Sequence, residues 1–200
     1  MTHGSPLRRI ASAFALAACL QWPGGAAAQS PPAPSVPYQR GGGQSLTVNG
    51  HVLPRDMVFR FLPVTLPLVS IRITSLFGMR RNPFGGPGTE FHPGVDFGAP
   101  RGETVFSTAA GIVTFVGPRG AYGDMVEVSH GLGFKTRSSH LSAYYVREGQ
   151  VVDRNTPIGA IGSTGRSTGN HLYWEIWRGA ERVDPVDFVL RAYALYHHLN

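Results

Sequence analysis

Cysteine and lysine are almost absent from this chain of 200 residues. Cys19 is the only cysteine and Lys135 the only lysine, so the net charge of +6 rests on arginine. A single cysteine excludes a framework of internal disulfides. The arginines are spread along the sequence without a dense basic run, which argues against specific nucleic-acid binding. Attraction to an anionic polymer or membrane surface stays open.

Long apolar runs are also scarce, and the clearest one lies near the N-terminus. Arg8 and Arg9 precede the apolar residues 10–20, a stretch too short to span a bilayer. A Pro/Gly break and three alanines ending at Ala28 follow. This order predicts a secretory signal peptide over residues 1–28, and therefore export to the periplasm or cell envelope.

The position of the signal-peptide cleavage decides whether the mature protein keeps its cysteine. Cleavage after Ala28 leaves a mature chain without cysteine, which excludes thiol catalysis. Residues 16–19 also resemble a lipoprotein box, in which Cys19 would carry a lipid and anchor the protein to a membrane. Export is expected in both cases.

Composition divides the rest of the chain into segments. Residues 29–44 are rich in Pro, Gly and Ser and predict a flexible linker. Residues 45–74 contain short apolar stretches, at 46–48, 59–62 and 66–71, which predict a β-rich lead-in. Residues 75–190 form the main domain, and residues 191–200 a tail.

In contrast to lysine and cysteine, glycine and proline are abundant in this chain. The 26 glycines and 16 prolines punctuate short β-branched runs, such as residues 113–116 and 158–161. This pattern favours hairpins packed as a mostly β, antiparallel sandwich or barrel-like domain. Asp184 followed by Pro185 predicts the N-cap and first turn of a short C-terminal helix.

Three histidine segments contain candidate chemistry. His92 is followed by a Pro-Gly turn and Asp96, an imidazole and a carboxylate that suit a zinc ion. Strand alternation places His171 and Tyr173 on one face. His140 follows a predicted strand. Taken singly, each segment is equally explained by hydrogen bonding at a surface turn or strand end.

The order of the motifs is more specific than any one of them. They are Gly78-Met-Arg-Arg-Asn-Pro83, Phe91-His-Pro-Gly-Val-Asp-Phe97, Ala109-Ala-Gly-Ile-Val113, Tyr122-Gly123, His130-Gly131, Ser139-His-Leu-Ser142, Gly162-Ser-Thr-Gly-Arg-Ser-Thr-Gly-Asn-His171 and Val183-Asp-Pro185. This series resembles the lysostaphin-type (LytM-like) murein endopeptidases over roughly residues 75–190.

The resemblance implies a compact β fold with a groove, one zinc ion, and hydrolysis of peptide cross-bridges in peptidoglycan. By the same resemblance, His92 and Asp96 match two zinc ligands, and His140 and His171 match two catalytic histidines that do not bind the metal. The third ligand of the family is a histidine, and here that position is Tyr173.

The tyrosine leaves several alternatives open. Tyr173 can ligate zinc as a phenolate, which requires the metal to displace a proton with a reference pKa of about 10. A water or Glu175 can instead fill the position. If zinc binding is lost, the domain is a murein-binding module that regulates other cell-wall hydrolases, or a structural part of an envelope complex.

A carrier domain is the competing class. The hairpins around residues 111–116 and 149–162 resemble those of lipoyl or biotinyl carriers, which display a lysine on a hairpin tip. Lys135 lacks the flanking signature, and an export signal does not suit that role. The sequence therefore favours the zinc metalloendopeptidase, with Tyr173 as the predicted third ligand.

Overall fold

The computed structural model describes residues 45–48 and 51–198. The predicted signal peptide and linker, residues 1–44, lie outside the described residues and stay predictions. The strands are β1 (Ser45–Val48), β2 (His51–Pro54), β3 (Ile73–Ser75), β4 (Gly78–Arg81), β5 (Thr89–His92), β6 (Val95–Gly98), β7 (Thr104–Phe106), β8 (Gly111–Pro118), β9 (Asp124–Ser129), β10 (Phe134–Ser139), β11 (Leu141–Tyr144), β12 (Val151–Val152), β13 (Pro157–Ile161), β14 (His171–Arg178) and β15 (Glu181–Val183). The helices are α1 (Arg55–Phe61) and α2 (Pro185–His198), and Gly120–Tyr122 form a 3-10 turn.

Antiparallel pairing joins these strands into sheets. The large sheet has the order β12-β8-β9-β10-β14-β6-β3, and β15 also pairs with β14. A second sheet has the order β11-β13-β7, while β1-β2 and β4-β5 are separate hairpins. The predicted mostly β, antiparallel fold is therefore confirmed.

Strand β14 shows why this sequence buries one face and keeps the other polar. Leu172, Trp174 and Ile176 are almost fully buried and point into one apolar cluster. The cluster also takes in Leu141 and Ile161 from the second sheet, so the core lies between the two sheets. Because side chains alternate along a strand, the intervening residues face the opposite side, where the polar groove lies.

The lead-in segment departs from the sequence prediction. Residues 59–62 were expected as a strand, but helix α1 covers Arg55–Phe61. Val58 and Phe59 of this helix, and Leu62 directly after it, are buried in the core. The guanidinium of Arg154 donates to the Phe59 and Leu62 carbonyls at the end of this helix. Residues 66–71, also expected as a strand, are irregular.

The C-terminal helix is confirmed and is longer than expected. Asp184 Oδ1 accepts hydrogen bonds from the Val186 and Asp187 amides at 2.9 and 3.3 Å, as an N-cap does. The helix continues to His198, through most of the segment predicted as a tail. An ion pair between Arg191 and Asp187, one turn apart at 2.7 Å, supports that extension. Within the described residues, neither helix is long and apolar enough to cross a membrane.

His130 is a structural histidine of the core. Its side chain is fully buried, with Nδ1 3.1 Å from the Ala110 carbonyl and Nε2 2.8 Å from Thr136 Oγ1. Burial lowers the pKa of His130 to about 4, because the charged imidazolium loses its hydration there. The folded protein therefore holds this imidazole neutral at neutral pH.

The buried His130 should make the fold sensitive to mild acid. Below a pH of about 6.5 the unfolded chain binds a proton at this residue, whereas the folded chain does so only near pH 4. The free energy of unfolding should therefore fall by about 3 kcal/mol across that window. Urea unfolding of the wild type and of His130→Gln at several pH values isolates the effect. Identical pH dependence in the two proteins would contradict it.

Candidate metal centre and groove

The five residues singled out from the sequence line one open groove on the polar side of the large sheet. The lining includes His92, Asp96, His140, His171 and Tyr173. These residues come from three separate segments of the sequence, and four strands or strand ends bring them together. The residues predicted from the sequence therefore form one site in the folded protein.

Sheet register explains how the residues meet. His92 is the last residue of β5, and Asp96 lies in β6 after the short turn. Asp96 stands directly opposite Tyr173 of the neighbouring strand β14, and His171 occupies the same face two residues earlier. His140 follows β10 with a positive φ of 62°, an uncommon conformation for a non-glycine residue.

Asp96 is the centre of the charged contacts. Its Oδ1 lies 3.2 Å from His92 Nε2 and 3.6 Å from His171 Nε2, while Oδ2 accepts from Arg80 Nη1 at 2.7 Å. Burial opposes ionisation of Asp96, but the His92 hydrogen bond, the positive neighbours and Arg80 outweigh it. The pKa of Asp96 is therefore held below its ordinary value, and the group is a carboxylate at neutral pH.

Three histidines in the groove share one orientation. Each places Nδ1 within hydrogen-bond distance of a backbone carbonyl, which can only accept, so Nδ1 carries the proton. Each Nε2 is then the nitrogen left to face the groove: those of His92 and His171 lie 3.2 and 3.6 Å from Asp96 Oδ1, and an Nε2 without its proton can bind a metal or take up a proton. The pairs are His92 with Leu76 at 2.9 Å, His140 with Thr164 at 2.7 Å and His171 with Gly169 at 2.8 Å.

His140 is placed for proton transfer. Its ring centroid is 4.8 Å from that of His171, and its side chain is mostly buried at the groove wall. Burial lowers the pKa of His140, although its bond to the Thr164 carbonyl acts in the opposite direction. The imidazole is therefore neutral near pH 7 and can accept a proton at Nε2.

Tyr173 does not present its oxygen to Asp96. Its hydroxyl donates to Glu175 Oε1 at 2.5 Å. Burial and the adjacent Glu175 carboxylate raise the pKa of Tyr173 above its ordinary value, whereas a phenolate ligand needs a lowered one. That Tyr173 ligates a metal stays a prediction, and this hydrogen bond stands against it.

Glu175, the other substitute ligand considered from the sequence, is engaged on both oxygens. It is completely buried. Oε1 accepts from Tyr122 at 3.1 Å as well as from Tyr173, and Oε2 accepts from Trp177 Nε1 at 2.7 Å. Arg137 and Arg182 lie 3.6 and 3.3 Å from the carboxylate. This network fixes Glu175 within the sheet face.

Two groove residues received no role from the sequence. Arg80 binds Asp96 and also Glu90, at 3.0 Å, and so holds the carboxylate in place. Tyr122 bonds to Glu175 and stacks on Tyr173 with ring centroids 5.9 Å apart. Both residues belong to the series of motifs found in the sequence, which could have pointed to them. Their hydrogen-bond partners could not be predicted, because those depend on the fold.

The donor types partly fit a zinc ion. Among the residues described, no three His, Cys, Asp or Glu side chains are already arranged as a metal cage. His92 Nε2 and Asp96 Oδ1 are nevertheless donors of the types that zinc prefers, and they converge in an accessible groove. His92 and Asp96 therefore account for two ligand positions. Tyr173 does not supply the third, because its hydroxyl points to Glu175.

Comparison with known proteins agrees with this geometry. The family model described as peptidase family M23 matches residues 90–185. A DD-carboxypeptidase/endopeptidase, Mpg, of Neisseria meningitidis is 43% identical over 124 residues, which cover 62% of this chain and 28% of the relative. The chain thus spans less than a third of that curated relative.

Two solved structures share the fold and part of the sequence. A zinc-containing peptidase from Vibrio cholerae is 36% identical with a TM-score of 0.55, covering 60% of this chain and 37% of the other. The catalytic domain of the antimicrobial peptidase lysostaphin from Staphylococcus simulans is 28% identical with a TM-score of 0.54, covering 60% of this chain and 92% of that domain.

Proposed function

We propose that this chain is a zinc-dependent metalloendopeptidase acting on peptide cross-bridges of peptidoglycan, because its residues 90–185 match the model of peptidase family M23. The observation that carries the proposal is the convergence of one carboxylate and three imidazoles in one groove, each imidazole held through Nδ1 by a backbone carbonyl. The name of another relative, the peptidoglycan DD-endopeptidase ShyA of Vibrio cholerae, supports peptidoglycan as the substrate class.

The proposed ligands and their support follow from the contacts. His92 Nε2 and Asp96 Oδ1 would hold one zinc ion, with Arg80 fixing the second oxygen of Asp96. When bound there, the metal supplies Lewis-acid chemistry, which acidifies a water and polarises the peptide carbonyl. Arg80 keeps the carboxylate from rotating, so Oδ1 stays directed to the groove.

His140 is the proposed proton-transfer residue. Its Nδ1–H is held by the Thr164 carbonyl, so Nε2 faces the groove in the neutral form. There it can accept the proton of the attacking water and return it to the leaving amine. His171, which the resemblance also gives a catalytic role, lies beside it.

Cellular location is proposed from the sequence of residues 1–28 alone. A signal peptide would deliver the enzyme to the periplasm or cell envelope, where its substrate lies. Mass spectrometry of the mature protein from fractionated cells tests this, because cleavage after Ala28 and lipidation at Cys19 give different N-terminal masses. An uncleaved, unmodified chain in the cytoplasm would contradict export.

The direct test is digestion of purified peptidoglycan. Wild-type protein should convert cross-linked muropeptide dimers to monomers, and a chelator should stop the reaction until zinc is restored. His92→Ala removes a proposed ligand and should release no monomers above the background. Chromatography with mass spectrometry identifies the products and the bond cut.

The same assay separates the enzyme from the regulatory alternative. Digestion that is unchanged in His92→Ala would overturn the metalloendopeptidase. Binding to sacculi without digestion, combined with stimulation of another wall hydrolase, would support the murein-binding regulator in its place.

A further inference from the structure

We propose that the groove continues past Asp96 into a basic extension that binds a carboxylate group of the substrate, with Arg72 as the main contact. The inference rests on the proposed function for the substrate being a peptide, and it adds a specificity-determining residue to the same groove. The group recognised is a free carboxylate of that peptide, at its terminus or on a side chain.

The basic extension is a second cleft that opens directly from the groove. Arg80, Asp96 and His171 line both the groove and the extension, so the two clefts share a wall at the proposed reaction centre. Beyond that shared wall, the lining of the extension includes Arg72 and Arg81. A peptide that lies along the groove can therefore pass Asp96 and enter the extension.

The two clefts differ in charge. In the groove, Arg80 and Arg166 are balanced by Glu90 and Asp96. Of the described residues, three arginines and one carboxylate line the extension, which leaves an excess of two positive charges. That carboxylate, Asp96, is already paired with Arg80 at 2.7 Å. The charge difference favours a substrate whose anionic group lies in the extension.

Arg72 is an exposed arginine whose position is set by the end of strand β6. Its carbonyl accepts a hydrogen bond from the Gly98 amide at 2.9 Å, and a Cβ added to Gly98 would lie 2.8 Å from Arg72 Nη2. The guanidinium therefore lies across the space that the glycine leaves. Within the described part of the chain, Arg72 forms no ion pair. Its N–H donors are thus open to a carboxylate, which a planar guanidinium binds through two parallel hydrogen bonds.

Arg166, the exposed arginine on the groove side, is already engaged. Its Nη2 lies 3.4 Å from Glu90 Oε2, and its guanidinium stacks on the Phe84 ring at 4.3 Å. A carboxylate that bound Arg166 would compete with Glu90 for the same donors. Arg72 requires no such exchange, and it is therefore the better acceptor of a substrate carboxylate.

The strand register gives the separation between Arg72 and the reaction centre. Gly98 stands opposite His171 in the sheet, and it lies two residues beyond Asp96 on the same face of β6. Two residues of strand span about 6.6 Å, so a carboxylate bound over Gly98 lies roughly that far from Asp96. An extended peptide covers about 3.3–3.6 Å per residue. The recognised carboxylate is therefore expected about two residues from the bond that is cut.

Matched synthetic peptides test this contact. Cross-linked dimers of peptidoglycan stem peptides are prepared with all carboxylates free, with the terminal carboxylates amidated, or with the side-chain carboxylates amidated. Binding is followed by fluorescence polarisation of labelled peptides, with a chelator present to stop turnover. Wild type should bind the free acid about tenfold more tightly than one of the two amides. The amide that loses affinity identifies which carboxylate is recognised.

Variants at position 72 assign the preference to one side chain. Arg72→Ala should bind the free acid about tenfold more weakly and no longer distinguish it from the amides, whereas Arg72→Lys should recover part of the preference because it keeps the charge without the planar donors. In hydrolysis assays, Arg72→Ala should raise KM and leave kcat nearly unchanged, because this residue lies away from the reacting atoms. Arg147→Ala removes an exposed arginine in the turn before β12 and should change neither value. Thermal unfolding checks that each variant is folded.

The outcomes for this contact and for the proposed function are separate. Equal binding of all three peptides by the wild type, or no binding of the free acid, would overturn the inference. An equal loss for free acid and amides in Arg72→Ala would overturn it as well. Hydrolysis that continues in those cases leaves the metalloendopeptidase standing. Carboxylate-dependent binding through Arg72 without any hydrolysis would support the contact in a peptide-binding domain and overturn the endopeptidase.

Discussion

Replacing His140 with alanine should lower kcat for peptide hydrolysis by about 10²–10⁴-fold, while metal binding and the fold remain. His92 and His171 lie 3.2 and 3.6 Å from Asp96 Oδ1, whereas His140 forms no ion pair with that carboxylate and is held by the Thr164 carbonyl. Removing His140 takes away the acceptor for the proton of the attacking water. The loss should appear in kcat more than in KM, because the imidazole acts on the reacting atoms.

The pH profile adds a second signature of His140. Because burial lowers its pKa, the acidic limb of the rate profile should lie below the ordinary histidine value of about 6.5. Hydrolysis of a defined muropeptide dimer over a pH series measures this. His140→Gln is the shape control, since glutamine fills the space but cannot accept the proton, and it should be as slow as the alanine variant. A glutamine variant with wild-type kcat would exclude the role.

Replacing Glu175 with alanine should lower the free energy of unfolding by about 3–5 kcal/mol. Glu175 is completely buried and accepts from Tyr173, Tyr122 and Trp177. The adjacent Arg137 is also nearly buried, with 9% of its side chain exposed. Removing the carboxylate leaves Arg137 with Glu127, 2.7 Å away, as its remaining ion-pair partner, and it leaves three buried donors without their acceptor.

Urea unfolding with a matched surface variant measures that effect. Glu181→Ala removes a carboxylate of the adjoining strand β15, 78% exposed and 3.8 Å from Arg178, and should change stability by less than about 1 kcal/mol. Glu175→Gln keeps a hydrogen-bond acceptor without the charge and should lie between the two. Equal effects of the Glu175 and Glu181 alanine variants would show that the buried network contributes little.

The polar and apolar faces of β14 were predictable because strand alternation is a local rule. Leu172, Trp174 and Ile176 followed from it, and so did the exposure of His171 and Tyr173 to the groove. The motif order then located the site, since the resemblance supplied long-range pairing that a single sequence does not contain. These two kinds of information made the β fold and the shared groove predictable from the sequence.

Helix α1 was not predictable by the same means. The short apolar stretch 59–62 suits a strand as well as one turn of helix, and its length does not decide between them. The decision comes from tertiary contacts, namely burial of Phe59 and Leu62 in the core and capping by Arg154 from a distant loop. The direction of the Tyr173 hydroxyl was hidden for the same reason, because Glu175 becomes its acceptor only within the buried network.

The left-handed backbone of His140 ties chemistry to loop architecture. Its amide donates to the Tyr122 carbonyl at 2.9 Å and its ring to the Thr164 carbonyl at 2.7 Å, so two separate loops hold one imidazole. Thr164 Oγ1 in turn accepts a hydrogen bond from the Asp124 amide and donates one to the Leu141 carbonyl, both at 2.9 Å. Grafting either groove-lining loop from a relative to alter selectivity would therefore also displace the base, and turnover and selectivity would have to be re-optimised together.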